Sequence, residues 1–240
     1  MRLFRTLFGA LAASQIAYSL LPARQRPRAT RAIVVLMLAT ALAEARAARG
    51  RRGGGLVTLA GGLGFATELV GVSTGRPFGH YTYGAGLGPK AGGVPLLAAA
   101  AWAMMARPAW IVAGTLAARP ALRVPLAAAA LTAWDVFLDP RMAREGYWSW
   151  PGGGRYEGIP ASNFLGWLAT GAGVFSVWAA IDRERPARRD DGALALYAWT
   201  LVGETFANAV IWRRPRVAVA GSAAMGAVGV PALARRLCRS

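Results

Sequence analysis

Stretches of roughly twenty apolar residues recur along this chain between short arginine-bearing connections, and they constrain the fold more tightly than any motif. A helix needs about 20 residues to cross a hydrocarbon layer. Laid along the sequence, that ruler predicts about eight spans, at 6–22, 32–48, 54–74, 92–118, 121–138, 162–181, 193–212 and 216–234. Arg107-Pro108 divides the fourth into apolar pieces of 15 and 10 residues, each too short to cross alone, so it reads as one kinked span. Arg2 and Arg5 before an apolar stretch, with Pro22-Ala23 after it, also fit a signal peptide, although four arginines and a further span follow at once. The fold class is all-α: a polytopic transmembrane helix bundle of about eight spans, or seven if the first is cleaved or the fourth is misread. The connections leave no room for a soluble domain, so residues 1–240 form a single integral-membrane domain.

Composition agrees, with 55% of residues hydrophobic and 16% charged. A net charge of +17 would suggest nucleic acid in a soluble protein, but here the arginines flank apolar runs and act as membrane-edge anchors. Basic residues favour the N-terminal face by 15 to 12 with Arg107 left out, a slight bias towards a cytoplasmic N-terminus. Cys238 and His80 are the single cysteine and the single histidine, which excludes a disulfide framework and a multi-histidine metal site. No phosphate loop, dinucleotide fingerprint or zinc motif is present, so the chemistry expected is acid–base work without metal or cofactor.

Two connections are dense in glycine, proline and aromatics and emerge on the same face: Gly75 to Lys90, and Asp139 through Asn163. Beneath them lie four carboxylates within spans, Glu68, Asp135, Asp139 and Glu204. Burying such groups costs at least roughly 2.5 kcal/mol, which marks them as functional. Their positions predict a cluster at a common depth. Asp135 and Asp139 are four residues apart on one face of a helix that Pro140 should end, and Glu204 and Asn208 repeat the spacing. Two carboxylates so close should share a proton, as a general acid requires. His80 is a candidate proton shuttle, while Tyr81, Tyr83, Trp134, Trp148, Trp150 and Trp167 offer π faces for a carbocation. Glu44, near Arg46 and Arg49, reads as an ordinary edge residue.

Several motifs stand in a fixed order over about residues 55–215: Glu68-Leu69-Val70-Gly71; Gly75-Arg76-Pro77-Phe78-Gly79-His80-Tyr81-Thr82-Tyr83; Leu87-Gly88-Pro89; Trp134-Asp135-Val136-Phe137-Leu138-Asp139-Pro140; Gly146-Tyr147-Trp148-Ser149-Trp150; Tyr156-Glu157-Gly158-Ile159-Pro160; and Asn163-Phe164-Leu165-Gly166-Trp167. Together they resemble the integral-membrane carotenoid biosynthesis proteins that hydrate the ψ-end of acyclic or half-cyclised carotenoids, the carotenoid 1,2-hydratase type that includes γ-carotene 1′-hydroxylase and bisanhydrobacterioruberin hydratase.

The resemblance implies a carotenoid taken from the bilayer of a bacterial cytoplasmic membrane, water as co-substrate, no cofactor, and association with other carotenoid enzymes. It implies protonation of C2 of the terminal C1=C2 bond and capture of the tertiary C1 cation by water. Asp135 or Asp139 would donate, with Glu68 and Glu204 as partner acids or water-positioning groups and Asn163 as an orienting amide. Asn208 and the aromatic residues would contact substrate. Two other readings stay open at this stage: an ion-coupled carrier using the same acids, and another acid-initiated isoprenoid reaction such as cyclisation.

Overall fold

The structure, a computed structural model, describes residues 1–182 and 186–238. Seven α-helices lie within them: α1 Arg2–Tyr18, α2 Arg26–Thr74, α3 Leu96–Leu116, α4 Pro120–Arg144, α5 Ala161–Ile181, α6 Asp191–Phe206 and α7 Pro215–Leu237. Among the described residues, six helical segments are long and apolar enough to cross a membrane. The protein is an all-α polytopic bundle, and α1, at 17 residues, falls just short of that length.

Helix α2 accounts for two of the predicted spans, because it doubles back at Gly50, whose φ of 61° and ψ of −149° leave the helical region. Only glycine adopts that backbone readily. Gly53 consequently lies against the Ala45 carbonyl, eight positions away in sequence, where an unbroken helix would separate them by about 12 Å. A straight rod would likewise hold Thr30 and Thr74 about 66 Å apart. Yet Tyr147 donates its hydroxyl to Thr30 at 2.9 Å while its carbonyl accepts from Gly84, only ten residues past Thr74, at 2.8 Å. Seven helices therefore supply eight rods among the described residues.

Helix α3 runs unbroken through Arg107 and Pro108, as a single span should, and every residue from Trp102 to Ala113 is buried. It begins at Leu96 rather than 92. Gly92 and Gly93, both at positive φ, close a hairpin between β2 (Lys90–Ala91) and β3 (Val94–Pro95) ahead of it. Arg107 cannot reach water from the middle of this helix, and its partners explain a correction to the sequence reading. Glu44 is no edge residue: it is buried and accepts from Arg107, which also donates to Asp190 at 2.7 Å. Asp190 in turn takes Arg49 at 2.8 Å. Two acids and two guanidinium groups thus neutralise one another around α3.

Pro140 does not end α4, which continues to Arg144. Proline lacks the N–H that would bond the Val136 carbonyl one turn back. The Tyr156 hydroxyl donates to that carbonyl at 3.0 Å instead, so the helix passes through. Gly61 and Gly64 let α2 approach α3 closely: a Cβ on Gly61 would stand 3.0 Å from the Ala99 carbonyl, and one on Gly64 would overlap Trp102.

Candidate functional site

The two polar connections meet as expected. Residues Thr82–Tyr83 (β1) pair antiparallel with Trp148–Ser149 (β4), Tyr83 opposite Trp148, and this ribbon lies over the ends of α2, α4 and α5. Beneath it is a small cavity of about 30 Å³ whose wall includes Glu68 and Asp139, with Phe78, Tyr81, Tyr83, Trp102, Trp148, Trp150, Asn163 and Trp167.

Glu68 belongs to a stripe of α2 running Val57, Gly61, Gly64, Glu68, Gly71, all buried, so helical periodicity aims it at α3. Its Oε2 accepts from the hydroxyls of Tyr81 and of Tyr83, the latter at 2.8 Å, and its Oε1 accepts from Trp102 Nε1 at 3.0 Å. Burial, and then the Glu68 charge beside them, hold both loop phenols above the ordinary tyrosine range, so they stay donors. Trp102 stacks on Trp167, centroids 3.9 Å apart, and Trp134 meets Trp167 edge-on at 6.2 Å.

Across the cavity, Trp148 Nε1 donates to Asp139 Oδ1 at 3.0 Å. The Asn163 amide at the start of α5 donates to Asp139 Oδ2 and to Asp135 Oδ2, the second at 3.0 Å. One NH₂ group therefore bridges the two aspartates. Asp139 lies in the cavity wall, whereas Asp135 sits behind it, fully buried, with Oδ1 lacking a hydrogen-bond partner among the described residues. Among the described residues, no arginine, lysine or histidine lines this cavity.

The predicted cluster of four acids is therefore a cluster of three. Glu204 stands on the other side of α4, 3.8 Å from Arg141, because Asp139 and Arg141, two positions apart, project about 200° from one another round the helix. Asn208 turns to its own helix, donating to the Glu204 carbonyl at 2.9 Å. His80 is exposed and packs over Gly75, and Trp134 is buried behind Trp167, so neither lines the cavity. Tyr81, Tyr83, Trp148, Trp150, Asn163 and Trp167 do line it. Sequence reasoning missed Trp102 and Phe78. For Trp102 the signal was the α2 glycine stripe, which leaves room for a large ring on the facing helix.

Such an arrangement places carboxylates from two helices in the wall of an aromatic chamber with no basic residue among its described lining, suited to moving a proton to and from an apolar guest. Over 113 residues the chain is 34% identical to bisanhydrobacterioruberin hydratase of Haloarcula japonica, a stretch covering 45% of this chain and 38% of that protein. No solved structure matches. The family model described as carotenoid biosynthesis protein matches residues 11–229, nearly the whole length and all of the cavity wall, so the chain belongs to the carotenoid biosynthesis protein family.

Proposed function

We propose that this protein adds water across the terminal C1=C2 double bond of an acyclic ψ-end carotenoid, giving a tertiary alcohol at C1. The observation that carries the reading is the pairing of Asp139 with Asp135 through one Asn163 amide, in a cavity that Glu68 also lines and that has no basic residue among its described lining. The aspartate pair carries one proton, since two anions sharing one amide in an apolar wall would repel without a counter-charge. Asp139, the member in the wall, delivers it to C2: a C2–H bond forms as the π bond breaks, leaving the cation at C1. The aromatic walls and the Glu68 carboxylate stabilise that cation. Water adds to C1 and loses its proton to Glu68, which passes it on through water to the aspartates, so that both acids regain their starting states. Nothing is oxidised or reduced, and alkene plus water balances the alcohol.

The relative's name supports hydration and the family supports carotenoid chemistry. Substrate enters from the bilayer, where one end of an extended polyene reaches the depth of the cavity. Glu204 and His80, outside this cavity, take no part in the step. The test is expression in a host that accumulates lycopene, with pigment mass spectrometry. Gain of one water supports the reading; an isomer of unchanged mass points to cyclisation, and unchanged pigment with ion-coupled uptake points to a carrier. Both of the latter overturn it.

A further inference from the structure

We infer that a second cavity, across α4 from the first, binds the hydroxyl-bearing end of an isoprenoid chain. The choice of ligand rests on the hydration reading; the cavity and its polar end do not. The space is about 400 Å³, far larger than the acid cavity, and lies between α1, α6, α4 and the π-helical turn Ala207–Ile211. Most of its wall is apolar or aromatic, and its polar end is Arg141 with Glu204. π-Helical turns recur at functional sites because they re-aim the residues they carry. Here Ala207 and Ile211 face the cavity.

The polar end has unspent hydrogen-bonding capacity. The Arg141 guanidinium lies 4.4 Å from the centre of the Tyr18 ring and 4.7 Å from that of Trp212. The nearest carboxylate oxygens stand at 3.5 Å (Glu145) and 3.8 Å (Glu204), beyond good hydrogen-bond distance. Its buried Nε has no hydrogen-bond partner among the described residues. A cation and a carboxylate held slightly apart suit a group that accepts from one and donates to the other, which is what a hydroxyl does. An anionic headgroup would meet two carboxylates here, and a cationic one would meet the guanidinium. The apolar body of the cavity calls for a hydrocarbon chain behind the hydroxyl. Asp139 and Arg141 lie on opposite faces of the same helix, so a chain hydroxylated at the first cavity has this site one helix diameter, about 10 Å, away.

The experiment uses the full chain in lipid nanodiscs and a diazirine-bearing farnesol, with cross-links located by mass spectrometry. Labelling is expected in residues 15–19 and 199–212. Unlabelled farnesol should compete about tenfold better than farnesane, the matching hydrocarbon, because hydrogen bonds to charged groups are worth at least that factor. It should also outcompete farnesoic acid and farnesylamine. Gly203→Leu should cut labelling about tenfold while leaving thermal unfolding unchanged, since a Cβ at Gly203, in the cavity wall, meets nothing within 4 Å. Labelling elsewhere, equal competition by farnesane, or stronger competition by the acid or the amine overturns the inference. Labelling does not need turnover, so Asp139→Asn protein should label normally. A correct map with no hydration would sink the hydration reading alone, and a wrong map from a hydrating enzyme would sink this inference alone.

Discussion

Replacing Tyr156 with phenylalanine removes one hydroxyl and leaves the ring, which keeps its edge-on packing against Phe164 at 5.8 Å. The lost bond is the 3.0 Å donation to the Val136 carbonyl, the acceptor that Pro140 leaves without an N–H. Stranding a buried carbonyl costs about 1–3 kcal/mol, and because this bond is only partly buried the low end applies, about 1 kcal/mol. Pro140→Ala restores an N–H at the right position, so in that background Tyr156→Phe should cost less than about 0.5 kcal/mol. The assay is a double-mutant cycle on equilibrium unfolding in bicelles. A second signature comes from pH. Burial, then the neighbouring Glu157 charge, pushes the Tyr156 phenol up to about 12, above the unfolded value of about 10. Its contribution is therefore complete below pH 10 and disappears as pH rises through about 12. The wild-type advantage over Tyr156→Phe should shrink across that window. If the two substitutions prove additive, the hydroxyl is not standing in for the missing N–H and the account of α4 is wrong.

Asp139→Asn should lower hydration about 10²- to 10⁴-fold, measured as hydroxylated pigment in a lycopene-accumulating host. Asp135→Asn, one shell behind, should lower it less and move its pH dependence. Gly64→Ala drives a Cβ into Trp102, displacing the indole from Glu68 and Trp167, and should destabilise the protein by about 1–3 kcal/mol in thermal unfolding. Glu44→Gln should cost about 3–5 kcal/mol of stability and leave the folded fraction able to hydrate. Glu68→Gln should cost about 1 kcal/mol and abolish hydration. The reverse pattern for the last pair would refute the division of roles between the two glutamates.

Much of this architecture was legible from apolar length alone, because hydrocarbon thickness leaves a span little freedom in size. The join between the second and third rods was readable too, since Gly50 and its arginine neighbours interrupt an apolar run. What the residues did not disclose was azimuth. Depth follows from counting residues along a helix, and on that count Glu204 belonged with the other acids; direction round the helix depends on packing, which turned it towards Arg141. Pro140 misled for a related reason, as the group that repairs the helix comes from a loop sixteen residues on. Glu44 looked marginal because its partner, Arg107, lies on a different helix.

That partner separates structural acids from chemical ones. Glu44 and Asp190 share guanidinium groups, so their charges are cancelled in place and neither has reason to move a proton. Glu68 is held by three neutral donors, and Asp135 and Asp139 by an amide and, for Asp139, an indole. The two kinds of site respond differently to an amide. Arg107 can only donate, so the NH₂ of a glutamine at 44 would oppose its N–H groups and leave Asp190 alone to balance two guanidinium groups. Tyrosine hydroxyls also accept, so a glutamine at 68 can turn its NH₂ to Tyr81 and Tyr83, keep its carbonyl on Trp102, and hold the fold together while losing the anion. A chamber built this way keeps its shape whether or not its carboxylates bear protons, as a site that lends a proton to an alkene and recovers it from water must do.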